Sequence, residues 1–157
     1  MAATILPAAV PADIPAVREL FLEYAAWLKV DLCFQGFDAE LAGLPGDYSG
    51  PEGALFIAKS ADAAAGCIAL RKFDERTGEI KRLYVRPAHR GTGLGERLAV
   101  QALEAARIAG YRRLVLDTFD SMQAAVKLYS KLGFRPIPAY YNNPVCGALY
   151  FGLALDA

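Results

Sequence analysis

The chain has 157 residues, 17 of them basic and 17 acidic, and 55% are hydrophobic. That length fits one domain, 1–157, able to bury about two thirds of the surface its unfolded form exposes. Zero net charge excludes the broad basic footprint that nucleic acid or an anionic membrane surface demands, and no apolar run reaches membrane-spanning length.

Cys33, Cys67 and Cys146 form an odd, widely spaced set with neither metal-ligand nor disulfide spacing. They are expected as buried thiols in a reducing compartment, with no metal bound. The first residues carry no charged leader pattern, so a cytoplasmic location is expected.

In chain order, a short strand is expected over 4–6. Asp13 then stands as an N-cap with Pro15 in the first turn, and Ile14, Val17, Leu20, Phe21, Tyr24 and Leu28 recur at helical spacing. Phe37, Leu41 and Leu44 mark a second short helix, stopped by Pro45-Gly46. Residues 55–59 and 65–72 read as a hairpin turning at Ser60-Ala61-Asp62. A strand over 79–86 ends at Pro87. Leu94, Leu98, Ala102, Ala105 and Ile108 line one face of a long helix closed by Gly110. A buried strand over 113–117, a helix over 121–132 stopped by Gly133, and strands over 134–138 and 148–155 complete the chain. The order predicts an α/β fold with a mixed sheet and helices on its faces.

The most specific segment is Arg90-Gly91-Thr92-Gly93-Leu94-Gly95, between an apolar strand and a helix start. Backbone N–H groups at a helix N-terminus lack intrahelical partners and carry the positive end of the helix dipole, so this arrangement suits a phosphate anion. Arg90 adds a cation, and Lys81, Arg82 and Arg86 are expected to cluster around the same site. Gly95 is followed by Glu96-Arg97, which excludes the phosphate loop of nucleoside triphosphatases with its Lys-Ser/Thr pair. The glycines run G-x-G-x-G, which departs from the dinucleotide fingerprint G-x-G-x-x-G.

Read from Leu83 to Gly95, the pattern Leu-x-Val-x-Pro-x-x-Arg-Gly-x-Gly-x-Gly resembles the acetyl-CoA signature of the GNAT superfamily of N-acetyltransferases. Downstream, Ala125-Val126-Lys127-Leu128-Tyr129-Ser130-Lys131-Leu132-Gly133-Phe134 is similar to that family's Ala-x-x-Leu-Tyr-x-x-x-Gly-Phe segment. The resemblance spans roughly Glu79 to Phe134. It implies a central twisted mixed sheet whose strand with Leu83 and Val85 bulges and splays from its parallel neighbour, leaving a V-shaped gap. Pantetheine would fill the gap against Leu83, Tyr84 and Val85. The pyrophosphate would rest on Arg90, Gly91, Thr92, Gly93, Leu94, Gly95 and Glu96.

The implied activity is acyl transfer from acetyl-CoA to a primary amine of a small molecule, peptide or protein, with CoA as product. The alternative is a regulatory domain that binds acyl-CoA without catalysis. By resemblance Tyr129 is the proton donor to the departing thiolate, and Glu79, on the strand leading to Val85, is the base. His89, the only histidine, is expected to be a solvent-exposed loop residue. Many members of the family carry an Asn where this chain has Met122, which puts one pantetheine contact in doubt, with Ser121 or Gln123 as substitutes. The acceptor is expected between Trp27, Phe34, Gln35 and Phe37 on one side and Tyr140, Tyr141, Asn142 and Asn143 on the other, with Asp117-Thr118 beside it. Many relatives pair through their last strands, which leaves a homodimer open.

Overall fold

Runs of alternating apolar residues assemble one seven-stranded sheet with helices on both faces. The computed structural model describes residues 2–29, 32 and 36–155. Strand β1 (Thr4–Pro7) leads into helices α1 (Ile14–Leu28) and α2 (Phe37–Gly43). Strands β2 (Ala54–Ser60), β3 (Ala63–Asp74) and β4 (Thr77–Val85) form an antiparallel meander. Helix α3 (Leu94–Ala109) crosses to β5 (Arg113–Phe119), and helix α4 (Gln123–Lys131) precedes β6 (Arg135–Pro136) and β7 (Ala148–Ala154). The strand order is β1-β2-β3-β4-β5-β7-β6, and the β4–β5 pair is parallel.

Each face of the sheet has its own core. On one, Leu98, Ala102 and Ala106 of α3 pack on Ile68, Leu114 and Leu116. On the other, Val17, Leu20 and Phe21 of α1 pack on Ile57, Cys67 and Tyr84. Each fully buried Leu, Ile or Phe stabilises the fold by about 1.5–3 kcal/mol, so both helix pairs are fastened to the sheet chiefly by apolar burial.

Several boundaries differ from the sequence reading. The β3–β4 hairpin is longer than expected, because Thr77 and Gly78 lie within the sheet rather than in its turn. Gly78 is there for space: a Cβ would stand 2.9 Å from the Tyr111 ring and 3.0 Å from Leu70. The helix expected from 121 begins at Gln123, and the strand expected over 134–138 pairs only at Arg135 and Pro136. Asp13 does not cap α1 with its side chain. Its carboxylate instead accepts from the Ala9 N–H at 2.8 Å and from Lys59 Nζ at 2.7 Å, a charged partner that outcompetes the helix end. Of the cysteines, Cys67 is buried as expected and Cys146 is exposed; Cys33 lies outside the described residues.

The feature that positions the site is where β4 and β5 part. They pair at Thr77↔Arg113, Gly78↔Leu114 and Glu79↔Val115, then diverge. Beyond that point β4 stays on β3 as far as Gly66↔Val85, while β5 stays on β7 as far as Phe119↔Ala148. The facing edges of β4 and β5 therefore open as a V. A bulge lies at the same place: Ile68 faces both Arg82 and Leu83, since Cys67 registers with Tyr84 and Ala69 with Lys81.

Candidate active site

The bulge is built by strain that charge holds in place. Arg82 has φ 62°, a left-handed conformation that a residue with a Cβ takes at a cost of about 1–3 kcal/mol. Its side chain is almost fully buried and makes two bonds to Glu40 of α2, Nε to Oε2 at 2.9 Å and Nη2 to Oε1 at 2.8 Å. The guanidinium also lies 5.3 Å from the Phe37 ring centroid. The Arg82 carbonyl accepts from Cys67 Sγ at 3.3 Å, so this kinked peptide is satisfied without a sheet partner.

The V encloses a cleft of about 260 Å³. On its donor side it is lined by Leu83, Tyr84 and Val85 from β4 and by Arg90, Gly91, Gly93, Leu94 and Gly95 from the glycine-rich turn. Gly93, with φ 83°, is the N-cap of α3, and no side chain caps that helix. The free N–H groups of the first turn thus face the cleft mouth with the positive end of a 16-residue helix behind them. Arg90 donates Nε–H to the Val85 carbonyl at 2.9 Å, and its guanidinium lies 4.7 Å over the Trp27 ring. Thr92 and Glu96 turn away from the cleft: Thr92 Oγ1 donates to the His89 carbonyl at 2.6 Å, and Glu96 pairs with Lys131 at 2.6 Å.

Of the basic cluster expected around this turn, Lys81, Arg82 and Arg90 line the cleft and Arg86 does not. Arg82 is committed to Glu40, and Arg86 to Glu19 and Glu23 at 2.9 and 2.7 Å. Both point to the α1–α2 face, where acidic partners on the helices lower the cost of burying them. His89 is half-buried and lines the cleft mouth, rather than standing in solvent. Met122 also lines the cleft. Gln123 does not stand in for the missing amide, because its side-chain NH2 donates to the Asp120 carbonyl.

Tyr129 of α4 lines the cleft, 5% exposed, its ring edge-on to Phe134 at 5.4 Å. Its hydroxyl makes no hydrogen bond among the described residues, and burial pushes its pKa far above the usual 10. The hydroxyl stays protonated across the physiological range.

Two carboxylates stand where the strands part. Glu79 is 1% exposed and does not line the cleft. Its Oε1 accepts from Arg71 Nε at 2.8 Å and its Oε2 from the Tyr140 hydroxyl at 2.6 Å. Asp117, half-buried on β5, lines the cleft, and its Oδ2 accepts from the Tyr141 hydroxyl and from Asn143 Nδ2 at 3.3 Å. Tyr140, Tyr141 and Tyr150 pack ring against ring at 5.4–5.8 Å, holding the 140–143 loop over both carboxylates. Lys81 also lines the cleft, and burial lowers its pKa against the pull of Glu79 and Asp117.

Of the expected acceptor residues, Trp27 lines the cleft; Tyr140, Tyr141 and Asn143 do not, Tyr140 bonding Glu79 while Tyr141 and Asn143 bond the cleft-lining Asp117 from behind. Phe37 is core, Asn142 is exposed, and Phe34 and Gln35 lie outside the described residues. Tyr24, Leu28 and Leu32 were missed as lining residues. The bulge at Arg82 turns Lys81, Arg82 and Tyr84 to one face, which simple alternation along the strand cannot show. Among the described residues no group of three His, Cys, Asp or Glu could hold a metal ion, and no helix is long and apolar enough to cross a membrane.

A splayed parallel strand pair, a glycine-rich helix start at its mouth and a buried tyrosine in its wall make one continuous cleft. The comparisons give the family. Residues 15–134 match the model of the acetyltransferase (GNAT) family. An uncharacterized N-acetyltransferase of Schizosaccharomyces pombe is 36% identical over 148 residues, covering 93% of this chain and 91% of the relative. A GNAT-family acetyltransferase of Staphylococcus aureus shares the fold at a TM-score of 0.82 and 20% identity, covering 99% of this chain and all of that one. A GNAT-family acetyltransferase of Elizabethkingia anophelis, solved with acetyl-CoA bound, superposes at a TM-score of 0.70 with 25% identity over 97% of each chain. The chain belongs to the GNAT acetyltransferase family and is an N-acyltransferase.

Proposed function

We propose that the protein moves an acetyl group from acetyl-CoA directly to a primary amine. The observation that carries this is the opening of β4 from β5 after Glu79↔Val115, with the glycine-rich turn at one end of the cleft and Tyr129 inside it. Pantetheine would enter the V as an added strand on the unpaired edge of β4 at Leu83, Tyr84 and Val85. The pyrophosphate would sit on the first-turn N–H groups after Gly93, with Arg90 swinging from Val85 to meet it.

Holding thioester and amine side by side supplies the proximity that lowers the barrier. The amine nitrogen attacks the thioester carbon, and a backbone N–H near Val85 stabilises the oxyanion. Collapse breaks the C–S bond, and the electron pair leaves on sulfur, where the Tyr129 hydroxyl provides the proton. One of the two carboxylates at the parting of the strands, Glu79 or Asp117, takes the proton that the ammonium must lose.

The test is a melting-temperature titration with acetyl-CoA, CoA, ATP and NAD in parallel, followed by thiol release with primary amines. Stabilisation by the CoA compounds alone is expected, reaching about 2.7 kcal/mol at a hundredfold excess over Kd. Stabilisation by ATP or NAD alone sinks the donor site. Stabilisation by acetyl-CoA with no thiol released by any amine supports the regulatory alternative.

A further inference from the structure

Resting on the acetyl-transfer reading, we infer that Asp117 rather than Glu79 meets the acceptor, and that the acceptor class is aryl-alkyl primary amines entering as ammonium ions. Both oxygens of Glu79 are already bonded, one to the Arg71 guanidinium and one to the Tyr140 hydroxyl, and its side chain is sealed from the cleft. To touch an amine it would have to give up the Arg71 guanidinium and the Tyr140 hydroxyl and move out from behind the cleft wall. Asp117 is placed differently. It lines the cleft beside Thr118 on the free edge of β5, opposite the bulged edge of β4. Both of its bonds, from Tyr141 and Asn143, end on Oδ2, and Oδ1 has no hydrogen-bond partner among the described residues.

Tyr141 and Asn143 are positioning residues. Asn143 Nδ2 also donates to the Tyr141 oxygen at 3.1 Å, and Asn143 Oδ1 accepts from the Val145 N–H at 2.9 Å, so the pair is fixed to its own loop. The remaining walls on the α1 side are Tyr24, Trp27, Leu28 and Leu32, aromatic and aliphatic. Lys81 lines the same cleft and interacts with Asp117 across it, and the walls match a ligand with a positive head for the carboxylate and a flat apolar body.

The proton balance closes. The ammonium gives one proton to Asp117 and the freed lone pair forms the C–N bond. The tetrahedral nitrogen, still carrying two protons, loses one as the C–S bond breaks. The thiolate gains one from Tyr129, which regains it from that nitrogen, and Asp117 returns its proton to solvent.

Phenethylamine is the probe, with thiol release from acetyl-CoA as the readout and the acetyl-CoA melting shift recorded for every variant. Wild-type protein should release thiol at least tenfold above the amine-free rate. Asp117→Asn should lower kcat about a hundredfold or more, the range typical of a lost general base, with an unchanged acetyl-CoA shift. Formate should restore part of the rate to Asp117→Ala, a readout a purely structural role would not move and one that serves if the Asn variant fails to fold. Tyr141→Phe should raise the phenethylamine KM more than it lowers kcat. No release by wild-type protein that binds acetyl-CoA overturns the amine class. A rate within threefold of wild type in Asp117→Asn, or a larger loss in Glu79→Gln than in Asp117→Asn, overturns the assignment of Asp117. Wild-type protein whose melting point ignores acetyl-CoA strikes the donor reading instead.

Discussion

The two ends of the cleft are made of different material. The end proposed for the donor is main chain: the unpaired edge of β4 and the first turn of α3, with Gly91 and Gly93 at positive φ. The end proposed for the acceptor is side chain: Glu79 with Arg71 and Tyr140, and Asp117 with Tyr141 and Asn143, drawn from β3, β4, β5 and the loop before β7. Backbone recognition is indifferent to side-chain identity and needs only a fixed geometry, so one donor can be served by a short glycine pattern. Side-chain recognition depends on groups far apart in sequence, and this is where acceptors can differ between relatives.

Between the two ends lies the Arg82–Glu40 pair, which should give the largest loss. Glu40→Gln leaves a buried guanidinium uncompensated, so stability should fall by about 3 kcal/mol. Because the pair also holds the bulge, acetyl-CoA affinity should fall with it, measured by calorimetry well below the variant's melting temperature. An affinity equal to wild type would separate the bulge from donor binding and break the comparison at its centre.

Tyr129→Phe should lower kcat by about a hundredfold while the acetyl-CoA Kd stays within twofold, since only a hydroxyl is lost from a buried ring. Its burial-raised pKa keeps the hydroxyl protonated, so no basic limb from Tyr129 should appear in the rate profile up to pH 9. An unchanged kcat would remove Tyr129 as the acid.

Gly93→Val tests the backbone end alone. A β-branched residue at φ 83° is strained by about 1–3 kcal/mol, which should appear as a 5- to 150-fold weaker acetyl-CoA Kd. No Cβ neighbour lies within 4 Å, so the effect comes from backbone conformation rather than a clash with the protein. Equal affinity in a folded variant would mean the turn does not hold the phosphates.

Asp13 lies outside both ends and is the smallest case. Its carboxylate is held below the usual 3.8, first by the Lys59 hydrogen bond and then by the Ala9 N–H. The stability it adds is present in full above pH 3.8 and is lost as pH falls through its lower folded value. Asp13→Asn should cost about 1 kcal/mol at neutral pH, a gap that narrows in melting curves taken toward pH 3. A gap independent of pH would show that the contact is not ionic.

The donor end was legible in sequence because its determinants are local. Leu83 to Gly95 contains the strand edge, the turn and the helix start, and their spacing alone orders them. The helices of both faces were legible for the same reason, since apolar periodicity is set within one element. The hairpin ends were not, because Thr77 and Gly78 look like a turn until the Tyr111 ring demands a glycine beside it.

The acceptor end was legible in part. Tyr140, Tyr141 and Asn143 stood out as a polar, aromatic loop, yet their partners Glu79 and Asp117 lie 61 and 24 residues away from Tyr140 and Tyr141. Which carboxylate is closed and which stays open to the cleft depends on Arg71 from a third strand. By itself, the sequence determined the order of elements, the faces they bury and the glycine-rich turn between β4 and α3. Tertiary structure decided where β4 leaves β5, how Arg82 is held in its strained turn and which carboxylate opens to the cleft. These rest on pairings between distant segments, whose energies exist only once the chain has closed around them.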